Sequence, residues 1–182
     1  MSGPKEYIFK VVVLGDGAVG KTSLVLQFTE RKFNENYIMS IGANFAIKMI
    51  NKPEENLAIR LQIWDLAGQK HFQFVRPSFY RGAFACIFVF DLTRRESYEH
   101  VKNWVEESEQ YAPGVPRILL GNKVDLIEER VVSKTEGEAL AQELRASYYE
   151  TSAKEAKNVD ICFDDLNNQL MDIHIWKKPY SK

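Results

Sequence analysis

Gly15-Asp16-Gly17-Ala18-Val19-Gly20-Lys21-Thr22, followed by Ser23, satisfies the pattern G-x-x-x-x-G-K-[ST] without a mismatch. It lies between an apolar run, Val11-Val12-Val13-Leu14, and a helical pattern over residues 23–30. Phosphate binding needs that placement. Glycines let the backbone wrap a polyphosphate with its N–H groups aimed at phosphate oxygens. Lys21 brings a point charge to the β/γ oxygens, and the Thr22 hydroxyl is a hard oxygen ligand for Mg²⁺. The alternative, a glycine-rich turn without a ligand, is disfavoured by the strand before it and the helix after it. Residues 15–23 are therefore expected to bind a nucleoside triphosphate.

The chain has 182 residues, 45% hydrophobic and 27% charged, which fits one soluble globular domain with a core large enough to need no staples. Lys+Arg 24 against Asp+Glu 25 leaves a net charge of −1, so no field is built for nucleic acid or an anionic membrane. The two cysteines, Cys86 in an apolar run and Cys162 in a helical pattern, read as buried thiols in a reducing, cytosolic compartment. The longest apolar stretch, residues 83–90, is too short to span a bilayer, and the three histidines lack metal-ligand spacing.

Residues 8–14 read as a strand and 21–30 as a helix; 33–40 has no clear period and reads as loop. Residues 44–50 and 57–64 are β-type runs joined by the turn-rich 51–56, a hairpin in which Leu57, Ile59, Leu61 and Ile63 share a face. Residues 83–90 and 116–120 are buried parallel strands, and 147–150 a short last one. Helices are predicted over 96–111, over 133–145 with Ser133 and Glu136 as a capping box, and from residue 154 onward. Strands alternating with helices predict a mostly parallel α/β sheet with the ligand at the strand C-termini.

Three further segments narrow the ligand. In Asp65-Leu66-Ala67-Gly68-Gln69, a carboxylate can reach Mg²⁺ through water, Gly68 offers an unhindered N–H to a γ-phosphate, and Gln69 can orient an attacking water. In Asn122-Lys123-Val124-Asp125, the Asp125 carboxylate can accept from guanine N1–H and N2–H₂, which adenine cannot match. Asn122 can bridge neighbouring loops while the Lys123 stem covers the ring. In Thr151-Ser152-Ala153-Lys154, small residues let backbone N–H groups approach guanine O6. Each segment taken alone is also compatible with an ordinary turn or helix start.

Together these residues resemble the Ras superfamily of small GTPases, and the Rab branch in particular, from about residue 9 to 170. Trp64-Asp65-Leu66-Ala67-Gly68-Gln69, Phe79-Tyr80-Arg81-Gly82-Ala83, Glu150-Thr151-Ser152-Ala153-Lys154 and Ser40-Ile41-Gly42-Ala43-Asn44-Phe45 look Rab-like, whereas the phosphate loop is closer to the Rho branch. The resemblance implies a three-layer P-loop α/β/α fold: a six-stranded sheet with one antiparallel strand, and five helices. It implies one G domain with its core over 8–173 and a short tail over 174–182. Phe33 would pack on the guanine, Tyr37 would cover the phosphates, and Ser40 would join Thr22 and Asp65 at Mg²⁺. Phe45, Trp64 and Phe79 would form an aromatic surface for partners, core packing being the alternative use of those rings. Effector, exchange-factor and activating proteins would engage loops around 34–45 and 67–80 of a monomer.

Three departures carry expectations of their own. Ser40 stands where the family has threonine, which should loosen that loop. Lys70-His71 replaces an acidic-basic pair, so regulators of the standard kind need not fit. The sequence ends Trp176-Lys177-Lys178-Pro179-Tyr180-Ser181-Lys182 without a cysteine for prenylation, so membrane recruitment is expected through partners or a further tail. The expectation is a GTP/GDP switch using Mg²⁺, with Gln69 and Lys21 carrying hydrolysis that is slow because no arginine is evidently placed to act in cis. A nucleotide-locked binding module that hardly hydrolyses is the rival reading. An ATP-dependent phosphotransferase is disfavoured by Asp125.

Overall fold

Val11, Val12, Val13 and Leu14 are all at most 1% exposed, as a strand covered on both faces must be. The computed structural model describes residues 3–33 and 42–177, and of His71 the backbone only. The buried run ends β1 (Lys5–Leu14), and the sheet is completed by β2 (Ala43–Lys52), β3 (Leu57–Leu66), β4 (Ala85–Asp91), β5 (Arg117–Asn122) and β6 (Ser147–Thr151). The strand order is β2-β3-β1-β4-β5-β6. β2 runs antiparallel to β3, as the predicted hairpin requires, and every other pairing is parallel. All seven residues of β4 are buried, which explains its lack of alternation.

Helices cover both faces. α1 (Lys21–Glu30) and α6 (Val159–His174) close one side, where Phe28 and Phe163 stack with centroids 3.9 Å apart. α2 (Arg76–Tyr80), α4 (Val101–Glu109) and α5 (Lys134–Glu143) close the other, around Phe88, Phe90 and Trp104. This is the predicted three-layer P-loop architecture. Cys86 belongs to one core and Cys162 to the other, both as free thiols, and burial pushes the Cys86 pKa up to about 12.

Several boundaries differ from those read in the sequence. β1 begins at Lys5, because its first residues pair with β3 and Glu6 reaches Arg60 at 2.7 Å, a cross-strand contact with no periodic signature. The helix predicted over 96–111 is divided into α3 (Arg95–Glu99) and α4 at His100, whose ψ of −11° departs from the helical value near −42°. The His100 ring is held 2.7 Å from the Asp16 carboxylate, a contact across the fold that a local pattern cannot contain. With this division the described residues hold six α-helices rather than five. The helix predicted from residue 154 starts at Val159, because Ser152 and Lys157 exchange backbone hydrogen bonds and Asn158 turns left-handed at φ 57°. The predicted capping box forms, with Glu136 N donating to Ser133 Oγ and Ser133 N donating to the Glu136 carboxylate.

Gly137 sits in the middle of α5 although glycine is unfavourable in a helix interior by about 1 kcal/mol. Its reason is the Tyr148 ring of β6: a Cβ at Gly137 would meet Tyr148 Cζ and Oη at 2.3 Å. Gly137→Ala is therefore expected to destabilise the protein, overpacking of about 1–3 kcal/mol outweighing the gain in helix propensity. Urea unfolding of Gly137→Ala, and of the same substitution combined with Tyr148→Ala, checks this: relief of the clash should make the alanine neutral or stabilising in the second background.

Candidate functional site

The C-terminal ends of β1, β3, β4, β5 and β6 bring the sequence motifs to one edge of the sheet, and the chain between β1 and α1 forms the loop of residues 15–20. Gly20 ends that loop left-handed at φ 96°, immediately before Lys21 opens α1. Lys21 is only 6% exposed, and its Nζ donates to the carbonyl oxygens of Gly15 at 2.9 Å and Asp16 at 2.8 Å. Burial drops its pKa to about 8 against the pull of Asp65 and Asp16, while Arg94 and Arg76 push in the same direction as burial. A desolvated ammonium is a strong attractor for an anion entering beside it.

Thr22 Oγ1 donates to Asp65 Oδ2 at 2.5 Å, joining the first turn of α1 to the end of β3. A hydroxyl and a nearly fully buried carboxylate in contact make the hard-oxygen donor set that suits Mg²⁺. Among the described residues no group of three or more His, Cys, Asp or Glu could hold a metal. A cation held by these two oxygens would take its remaining ligands from water and phosphate. Asn44, at the start of β2, also donates to Asp65 Oδ2 at 3.4 Å, a member of the site with no signal in the sequence.

Gly68 lies directly on the phosphate loop. A Cβ there would fall 2.4 Å from Gly17 N and 2.4 Å from Gly15 O, so only glycine permits the approach. Gln69 follows it, with Oε1 buried and without a hydrogen-bond partner among the described residues, an acceptor available to a water. Gly17, Ala18, Gly20, Lys21, Thr22, Ser23, Asp65, Gly68 and Gln69 all line one cavity of about 270 Å³.

The predicted base-recognition motif sits beside it. Asn122, the last residue of β5, donates through Nδ2 to Val19 O at 2.9 Å and accepts from Thr151 Oγ1 at 3.2 Å. One side chain thereby ties the phosphate loop to the ends of β5 and β6. Val124 N donates to Thr151 O, and Ser152 and Ala153 are buried next to it. Lys123 is left-handed at φ 68° with Nζ 2.6 Å from Asp91, whereas Asp125 is half-buried and makes no hydrogen bond or ion pair among the described residues. Lys154 is exposed, and Phe33 packs half-buried against the core on the α1 side. Tyr37 and Ser40 lie outside the described residues.

Two arginines from distant parts of the chain reach the loop and the residue after Gly68. Arg94 Nη2 donates to Gly17 O at 2.7 Å across 77 residues, and Arg76 Nη1 reaches Gln69 O at 3.4 Å while pairing with Glu107. Asp16 accepts from Trp104 Nε1 at 2.8 Å as well as facing His100, so α4 braces the same loop. Nothing in the local sequence signals any of these partners. The Phe45, Trp64 and Phe79 rings form a row with centroids 4.8 and 5.3 Å apart, and Phe45 is 49% exposed, so the row reaches the surface.

A model of the Ras family matches residues 10–172. The chain is 44% identical to "Ras-related protein RIC1" of Oryza sativa subsp. japonica, over 93% of this chain and 84% of the relative. It is 40% identical to "Ras-related protein Rab-13" of Rattus norvegicus over 94% and 84%, and 39% identical to "Ras-related protein Rab-1D" of Dictyostelium discoideum over 98% and 89%.

The low Lys21 pKa generates a pH dependence. An anion beside the ammonium raises its pKa above the free value of about 8, so phosphate-dependent binding is at full strength below pH 8 and is lost as pH rises through it. GDP affinity is expected to fall about tenfold between pH 7 and 9. Titration by equilibrium binding checks this. Lys21→Arg, whose charge does not titrate there, cancels the base's own ionisation and should show a flatter profile.

Proposed function

The chain belongs to the Ras family, in the Rab branch of the small GTPases, and from that premise we propose that it is a GTP/GDP switch. In this reading a single G domain binds guanine nucleotide and Mg²⁺, hydrolyses GTP slowly, and acts in intracellular trafficking or signalling. The observation that carries the reading is the convergence on one loop: Gly68 rests on its backbone, Asn122 bonds its Val19 carbonyl, and Lys21 lies within it. Phosphate-binding, γ-phosphate-sensing and base-reading segments are thus mechanically joined.

Lys21 would supply positive charge to the β and γ oxygens, and Thr22 and Asp65, with Ser40, would hold the metal. Bound there, Mg²⁺ would supply charge neutralisation between the phosphates. Gln69 orients a water for in-line attack on the γ-phosphorus. The bond from that phosphorus to the β–γ bridging oxygen breaks, GDP leaves with the electron pair, and the proton of the water goes to the inorganic phosphate and solvent. Because Gly68 touches the loop that cradles the phosphates, loss of the γ-phosphate is felt at once by the segment after β3, and partners that read that segment and residues 34–45 would bind one state only. Asp125, left without a partner of its own, accepts from guanine N1–H and N2–H₂. Unassisted turnover is expected on the order of 10⁻⁴ to 10⁻³ s⁻¹, as for Ras-type enzymes without an activating protein.

Gln69→Leu should keep nucleotide affinity and slow single-turnover phosphate release from GTP-loaded protein. Equal rates in mutant and wild type would instead favour the nucleotide-locked module. Asp125→Asn should weaken GTP binding by about 1–3 kcal/mol and partly restore binding of xanthine nucleotides, which carry a carbonyl where guanine has its N2 amino group. Competition between GTP, XTP and ATP measures this, and wild-type binding of ATP within about tenfold of GTP would defeat the guanine assignment.

A further inference from the structure

Arg94 is the residue whose local position and actual use disagree most. It occupies the N-cap of α3, a place where Ser, Thr, Asp or Asn stabilises a helix by bonding its free N–H groups, and it makes no side-chain cap bond. Its guanidinium instead crosses to the phosphate loop, where Nη2 donates to Gly17 O at 2.7 Å. Local rules broken in this way mark sites of function. The Nε–H of the same group is buried without a hydrogen-bond partner among the described residues, so a donor is left unspent. Arg94 also lines a second cavity, of about 560 Å³, together with Gly17, Gly68, Gln69 and Arg76. Gln69 Nε2 comes within 3.7 Å of the point where a side chain on Gly17 would begin, so the carbonyl that Arg94 holds belongs to the residue next to the water-orienting amide.

We propose that Arg94 is a positioning residue for GTP hydrolysis, supplied in cis: it fixes the Gly17 carbonyl and places a permanent positive charge beside the Gln69 amide. The proposal rests on the hydrolysis reading above. In phosphoryl transfer the negative charge spreads over the γ-phosphoryl oxygens as the bond to the bridging oxygen breaks, and a guanidinium held in place before reaction needs no reorganisation to face it. Arginine suits the task because its planar fork can bond a carbonyl with one arm and keep others available, and its charge does not titrate. That Arg94 weakens the protonation of Lys21 is consistent with both cations sharing one field at the phosphate loop. Arg76 is less suited, since its Nε and Nη2 are committed to Glu107, its Nη1 to the Gln69 carbonyl and its face to Trp104.

The test uses the full chain loaded with GTP and Mg²⁺. Wild-type single-turnover hydrolysis is expected at or above the top of the range for unassisted relatives, Arg94→Ala at least tenfold slower, and Arg94→Lys in between, with GDP affinity within twofold for all three. A second readout is independent of turnover. GDP with aluminium fluoride, which imitates the transferring phosphoryl group, should bind the wild type without an activating protein and should bind Arg94→Ala at least tenfold more weakly. Arg94→Ala that hydrolyses as fast as the wild type overturns the proposal and leaves the hydrolysis reading standing. A rate that falls only in step with GDP affinity also overturns it, since Arg94 would then merely hold nucleotide. A wild type that does not hydrolyse GTP at all removes both.

Discussion

A buried ammonium sits at the centre of this molecule, and much of the surrounding structure answers to it. Lys21 Nζ is bonded to the carbonyls of Gly15 and Asp16 and, among the described residues, to no carboxylate, so its charge is only partly compensated there. The drop in its pKa from 10.5 to about 8 corresponds to about 3 kcal/mol against the charged form. Below pH 8 the group is charged in folded and unfolded chains alike and the whole penalty is present; it fades as pH rises from 8 toward 10.5. A fold that keeps such a group gives up stability in exchange for a site matched to an anion, and the rest of the loop has to be rigid enough to hold the lysine there.

That rigidity comes from every side of the loop. Asp16 is held by Trp104 and His100, Gly17 by Arg94, Val19 by Asn122, and Gly68 presses on the backbone between them. The brace from α4 continues outward, because Arg76 stacks on Trp104 with its guanidinium 4.5 Å from the ring and bonds Glu107, which also accepts from Tyr80 Oη at 2.7 Å. The segment after β3 is therefore tied to the same helix that supports the phosphate loop. A displacement of Gln69 and Gly68 has a direct path to α2 and α4, through packed and bonded groups rather than through a flexible linker.

The division of the helix at His100 belongs to the same design. A continuous helix over 96–111 satisfies the periodicity of the sequence, but His100 and Trp104 both point at Asp16, and the backbone adopts a tighter turn where the histidine makes its contact. The row of Phe45, Trp64 and Phe79 likewise takes its form from tertiary pairing: the antiparallel register sets Phe45 opposite Trp64, and α2 brings Phe79 within 5.3 Å of the same indole.

The sequence by itself determined the phosphate loop, the sheet and its hairpin, the two-sided burial of β4, the capping box of α5, and the motif residues Asp65, Gly68, Gln69, Asn122 and Asp125. Each of these is written in contiguous residues, as a pattern of turn chemistry, hydrophobic period or donor and acceptor type that acts over a few positions. Tertiary structure alone decided that Arg94 reaches Gly17, that His100 and Trp104 share Asp16, that Asn44 joins Asp65, that Gly137 yields its space to Tyr148, and that the helix breaks at His100. Those contacts link residues tens of positions apart, and nothing in a local pattern says which arginine or histidine will find a particular carbonyl or carboxylate once the strand order brings the loops together.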